Sequence, residues 1–355
     1  MKFFTTRFAP ATERCHAFRR RLIALVAWAL VAPCAYADRL ASPLELIYQP
    51  TNSLITGKLI EINPAGRLVF VRGQVLSGED HPPERIDVRV SASLLSQVKL
   101  NQDYILAYTA YISSPMQAEK MIRNPDGPRL LVSNGLEPAL FRDTAPIRAL
   151  LRLGSSEHGR ESRRTLDALL DALGGADPAL QNLAAAEIAL NEDLRARIRA
   201  TDRGRVETFV RNAEAPPAAR TTLLELAARE PARFGEGWWL DVAQGLVAGM
   251  PLDGYAAASD GRGGLVRSAL GLLDRRSVKL PSSALIRWVR SDSSAIAEVA
   301  LLMLRRQAPE QERPAIEAAL ADPHLPTEMR AFLSDHLRRL DLLEERLRAQ
   351  REGSR

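Results

Sequence analysis

The sequence predicts an α+β protein with two differently built parts. A small β-barrel or sandwich comes first, and an all-α helical-repeat solenoid follows. Three observations predict it. From about Leu44 to Phe141, short apolar runs with β-favouring residues are separated by Gly, Pro and Asn. From about Pro146 onward, Ala and Leu recur at i, i+3 and i+4, with Gly or Pro at the connections. Ahead of both stands a basic, then apolar, leader that ends in small residues.

In the leader, Lys2, Arg7, Arg14, Arg19, Arg20 and Arg21 stand against one acid, Glu13. The apolar run Leu22 to Ala32 follows, then Pro33 and Ala35-Tyr36-Ala37. This is the order of a cleavable secretory signal over residues 1–37, with the cut between Ala37 and Asp38. Signal peptidase needs small side chains where Ala35 and Ala37 stand. The alternative is an uncleaved anchor. Spanning a bilayer takes roughly 20 apolar residues, and this run is shorter and stopped by Pro33. Phe18-Arg19-Arg20-Arg21 loosely resembles a twin-arginine signal, and Val31-Ala32-Pro33-Cys34 a lipoprotein box, so the export route stays open. The expected location is periplasmic or secreted, with no membrane span after cleavage.

The net charge of +5, from 48 Lys and Arg against 43 Asp and Glu, leaves with the leader. Removing its six bases and one acid leaves 42 of each. A neutral chain has no electrostatic case for nucleic acid, which is bound chiefly by neutralising phosphates. Both cysteines, Cys15 and Cys34, also lie in the leader. The mature chain therefore has no disulfide, no cysteine metal site and no cysteine nucleophile.

The β part, residues 38–143, opens with the strand Leu54 to Ile62, the turn Asn63-Pro64-Ala65-Gly66 and the strand Leu68 to Leu76. Arg85 to Val90 alternates polar and apolar residues. Tyr104 to Ile112 and Arg129 to Ser133 complete about five strands. Ser113 to Pro128, with Pro125-Asp126-Gly127-Pro128, reads as an exposed loop. The entry into the fourth strand, from Leu94 through Asn101-Gln102-Asp103 to Tyr104, resembles that of OB-like barrels. It lacks the basic and aromatic stripe of a nucleic-acid reader.

The helical part, residues 144–325, carries helices expected at 160–173, 178–190, 203–212, 216–229, 236–249, 262–275, 282–290, 293–307 and 311–321. A terminal segment, residues 326–355, holds one more at 326–350. Asp177 to Ala189 and Asp292 to Leu304 are alike: each opens on an Asp able to cap the first turn, then runs small and apolar. Pro216 to Ala228 and Leu325 to Leu337 are looser versions. Starts at Asp177, Pro216, Asp292 and Asp322 are spaced 39, 76 and 30 residues apart. This pattern resembles the HEAT-type α-solenoid of the bacterial envelope, whose helix pairs recur at roughly 40 residues. The resemblance implies a scaffold that binds partners on a concave face, and no catalytic residues. An irregular helical bundle is the alternative.

No catalytic residue, cofactor site or metal site is expected. Outside the leader, His81, His158, His324 and His336 stand alone, without metal-ligand spacing. Gly261-Arg262-Gly263-Gly264 opens a helix, but lacks the lysine and preceding strand of a phosphate loop. Glu137 and Asp143 flank the strand-to-helix junction. The adjacent Trp238 and Trp239 point about 100° apart on a helix, so one is a candidate exposed binding residue and both are candidate core residues. Leu333, Leu337, Leu340, Leu343 and Leu347 form a narrow stripe, either a cap on the preceding helices or a homodimer seam. The expected function is an exported, non-enzymatic binding or scaffold protein whose partner is another envelope protein or polymer. An envelope hydrolase with acids at the domain junction is the alternative.

Overall fold

The computed structural model describes residues 40–78, 82–109, 111–113, 121–123, 129–258 and 260–353. The expected leader and its Ala37–Asp38 cut lie outside them, as do His81 and most of the segment Ser113 to Pro128 expected as a loop, of which Met121–Arg123 is instead a strand. The architecture is α+β, with a sheet in the N-terminal part and helices after it.

A short helix, α1 (Pro43–Ile47), opens the described chain. The strands follow: β1 (Asn52–Asn63), β2 (Arg67–Ser77), β3 (Arg85–Arg89), then a single helical turn, α2 (Ala92–Leu95), and β4 (Asp103–Thr109). Next come β5 (Tyr111–Ser113), β6 (Met121–Arg123), β7 (Arg129–Leu131) and β8 (Leu140–Arg142). β1 pairs antiparallel with β2 on one side and β4 on the other. β2 continues to β3, β3 pairs parallel with β7, and β7 pairs antiparallel with β4. β8 adds to β4, and β5 with β6 forms a separate two-stranded ladder.

The β1–β2 turn forms as its residues dictate. Asn63 Oδ1 accepts the N–H of Ala65 at 2.9 Å. Gly66 takes φ +86°, and a Cβ there would meet the Val90 carbonyl at 2.8 Å, so only glycine fits. Side chains alternate along β1 and β4, as a period of two requires. Ile55, Leu106 and Tyr108 join a core made by the strands, with Phe70 and Ile86. Their neighbours Leu54, Ile105 and Ala107 join a second core shared with the helices.

The helices begin with α3 (Ala145–Gly154) and α4 (Glu157–Arg160). Five helix pairs follow: α5 (Arg163–Leu173) with α6 (Pro178–Leu190), α8 (Ala200–Arg211) with α9 (Pro217–Arg229), α11 (Trp238–Gly249) with α12 (Arg262–Arg275), α13 (Ser282–Val289) with α14 (Ser294–Gln307), and α15 (Glu312–Leu320) with α16 (Thr327–Gly353). Single turns, α7 (Glu192–Arg195) and α10 (Pro231–Phe234), lie in the connections. The second helices pack in series, α6 on α9, α9 on α12, α12 on α14 and α14 on α16. Among the first helices, α5 packs on α8, α8 on α11 and α13 on α15.

Helix α6 is the hub. Leu180 through Ala189 are all buried, because α1, α5, α9 and β8 surround it. Asp177 caps it, accepting from Ala179 N at 3.0 Å. The expected matching cap by Asp292 is not made. Ser293 is the N-cap of α14, and the Asp292 carboxylate turns back to accept from Gly254 N at 2.8 Å and Tyr255 N at 3.1 Å. Two free loop N–H groups attract it more than a first turn it only half adjoins.

Candidate partner-binding groove

The expected candidate pair, Trp238 and Trp239, starts α11. The side chains are buried, with exposures of 9% and 3%. Trp238 Nε1 donates to the Phe234 carbonyl at 3.0 Å. Trp239 Nε1 is buried with no acceptor, while the Arg276 guanidinium sits 5.3 Å from its ring centroid.

Of the two junction acids, Asp143 has a side-chain partner. Arg148 forks onto Asp143, with Nε and Nη2 each at 2.5 Å. The Glu137 backbone closes a turn with Asn134, whose Oδ1 accepts its N–H at 2.6 Å. At the start of α12, Asp260 already supplies an anion, accepting from Arg262 N at 3.0 Å and Arg262 Nε at 2.6 Å. His158 and His324 are exposed. His336 lies 3.0 Å from Glu312 Oε1. Among the described residues, no group of three His, Cys, Asp or Glu is placed to hold a metal. No helix among them is long and apolar enough to cross a membrane.

One concave feature lies at an end of the second helix pair, between the turns that precede and follow that pair. It is an open groove of about 570 Å³, lined by Glu192, Ile198, Arg203, Arg229, Glu230 and Arg233 among others. Its walls come from the ends of helices: α7, the start of α8, the last residue of α9, and α10. Pro231 starts α10 at once and turns the chain along the rim.

Charge within the groove is unevenly satisfied. Glu230 is held from two sides, by Arg195 Nε at 3.0 Å and Arg233 Nη1 at 3.1 Å. Arg195 is itself pinned, giving Nη1 to the Ala189 carbonyl at 2.6 Å. Arg203 spends Nη2 on the Ala232 carbonyl at 3.1 Å, and its Nε is buried with no acceptor. Arg229 is exposed and makes no ion pair among the described residues. Arg203 and Arg229 thus carry charge without an acid partner among the described residues, in a groove also lined by the apolar side chains of Ile198 and Pro231. Such an arrangement takes a carboxylate or another oxyanion.

Sequence reasoning did not single out Arg195, Arg203, Arg229, Glu230 or Arg233. Arginine is common throughout the helical part, and no local spacing separates the paired from the unpaired ones. The chain matches no protein-family model, and no curated protein or solved structure is significantly similar to it.

Proposed function

We propose that this chain is an exported, non-enzymatic scaffold: an OB-like small β-barrel set on a HEAT-like α-solenoid that holds another envelope protein or polymer. The observation that carries the reading is the periodicity of polar ties between successive helix pairs. Arg163 reaches Asp202 across 39 positions, Ser268 reaches Glu225 across 43, and Trp288 Nε1 reaches the Val247 carbonyl across 41. Other ties between successive pairs, such as Arg205 to Asp171 across 34 positions and Arg276 to the Ala228 carbonyl across 48, scatter about the same value, and a separation of roughly 40 residues is what stacked repeats produce. The barrel is supported by pairings that run β1-β2-β3-β7-β4 and return to β1, with α2 between β3 and β4. Export is supported by the leader composition.

The test is capture from envelope extracts with the protein as isolated from cells, after cross-linking. A retained envelope partner is expected, together with a mature N-terminus at Asp38 by mass spectrometry. An intact Met1 on soluble cytosolic protein would overturn the export reading. Hydrolysis of an envelope polymer without any retained partner would overturn the scaffold reading.

A second reading, self-association through the last helix, is favoured by one observation. Leu343 and Leu347 are 48% and 53% exposed, although they continue the face that buries Leu333. Sedimentation of a chain ending before Thr327 tests it; an unchanged oligomeric state removes it.

A further inference from the structure

We propose that the groove at the end of the second helix pair is a carboxylate-binding site, taking a segment of the partner that carries Asp or Glu side chains among apolar residues. The proposal rests on the scaffold reading and names the chemistry of what the scaffold holds.

Three observations carry it. First, Glu230 is already neutralised by Arg195 and Arg233, which leaves Glu192 as the one lining acid set against Arg203 and Arg229. Added positive charge is therefore unspent, in Arg203 and Arg229. Second, Arg203 is incompletely satisfied. Its one side-chain hydrogen bond goes to the Ala232 carbonyl, so its charge has no acid partner among the described residues and an arriving oxyanion can pair with it. Third, part of the lining is apolar, with Ile198 half-buried and packed against the core. A ligand with carboxylates spaced by apolar side chains matches both features. Glu192, exposed at the rim, disfavours an unbroken run of acids by like-charge repulsion. The groove is open rather than enclosed, so the ligand lies along it as an extended segment instead of entering a pocket.

The experiment uses fluorescence anisotropy with a labelled peptide of alternating Glu and Leu, and its Gln counterpart. The Glu peptide is expected to bind the wild-type protein at least about tenfold more tightly than the Gln peptide. Arg203→Ala/Arg229→Ala should lose about tenfold for the Glu peptide alone. Arg267→Ala/Arg275→Ala, two exposed arginines on α12 outside the groove, should leave binding unchanged. Arg229→Ala alone guards against a folding defect, since Arg229 holds nothing in place, and it should lose part of the affinity. Equal binding by wild type and the groove variants overturns the proposal, as does an equal loss in the α12 control. Capture from envelope extracts separates the two levels. A partner held equally by wild type and the groove variant leaves the scaffold standing and removes the groove. A partner held by neither removes the scaffold reading as well.

Discussion

Glu187 Oε2 accepts the backbone N–H of Leu44 at 2.8 Å, across 143 positions of sequence. The carboxylate is fully buried on α6 and also accepts from Asn191 Nδ2 at 2.9 Å. It thus acts as an external cap for α1 and ties the start of the β part to the hub of the helices. Burial pushes the Glu187 carboxyl above the usual range, against the lowering by its hydrogen bonds. Glu187→Ala leaves two buried donors without an acceptor, and about 3 kcal/mol of stability should be lost. Glu187→Gln should cost about 1–2 kcal/mol, because an amide cannot accept at both ends. The pH dependence follows from the raised value. The folded state holds this proton more tightly than the unfolded state. Its contribution is therefore full below the ordinary glutamate range and declines as pH rises through the folded value. Urea unfolding across pH checks both, and the Gln variant should lose that decline.

Asp202 carries the opposite sign. Arg163 forks onto it at 2.6 and 2.8 Å, and the Arg199 N–H adds a third bond at 2.8 Å. The Arg163 guanidinium holds the Asp202 carboxyl below its usual range despite burial. This tie joins the first helix pair to the second. Its contribution is full above the ordinary aspartate range and is lost as pH falls through the lower folded value. Asp202→Asn should cost about 2 kcal/mol at neutral pH and little once the pH has fallen below the lowered folded value. A cost that stays constant down to acid pH would contradict the assignment.

Much of the fold was readable in the chain, and the misses have physical causes. Helices 178–190 and 262–275 were legible to the residue, because Asp177-Pro178 and Gly261 mark their starts. Helix α3 was missed although Ile147, Leu150, Leu151 and Gly154 already carried its stripe. β8 is three residues long, too short for any period to show. Helix α1 had a local signal in Ser42-Pro43-Leu44-Glu45, where the Ser42 N–H reaches Glu45 Oε2 at 3.4 Å. Glu187 was passed over, although it is the lone acid within Ala184-Ala185-Ala186-Glu187-Ile188-Ala189. The groove did not stand out, because its members stand up to 41 positions apart, from Glu192 to Arg233, and meet only when the second helix pair folds back on itself.

Asp292 should behave as a clamp on the loop before α12. With its carboxylate gone, the N–H groups of Gly254 and Tyr255 lose their acceptor. Asp292→Ala should cost about 1–3 kcal/mol, and amide exchange should accelerate at residues 254 and 255 first. Asp292→Asn keeps one acceptor oxygen and should fall between. An α14 that frays while the loop stays protected would show that Asp292 is a helix cap after all.

The two adjacent tryptophans should differ under the same substitution. Trp238→Phe deprives the Phe234 carbonyl of its donor and should cost about 2 kcal/mol with the lost ring volume. Trp239→Phe removes a donor that has no acceptor, so relief of that group offsets part of the lost packing over Arg276. Its cost should be about 1 kcal/mol. Thermal unfolding of the two variants gives the order, and the reverse order would mean that Trp239 Nε1 has a partner in solution.

The last helix should divide at Leu340. Before it, Glu312 is buried and holds α14, α15 and α16 together, taking both Arg305 Nε at 2.9 Å and Arg305 Nη2 at 2.7 Å, with His336 beside it. Burial raises the Glu312 carboxyl, but the bonds from Arg305 and His336 outweigh it and hold it below the usual range. Glu312→Ala leaves Arg305 without its main partner and should cost about 3 kcal/mol. Beyond Leu340 every residue through Gln350 is exposed. The ties there include surface ion pairs from Arg313 to Asp341 at 2.6 Å and to Glu344 at 3.1 Å, which solvent screens and which add little. A chain ending at Leu340 should therefore melt close to the intact protein, and far above Glu312→Ala. If instead the shortened chain loses as much as Glu312→Ala, and does so only at high protein concentration, then Leu343 and Leu347 are covered by a second copy in solution.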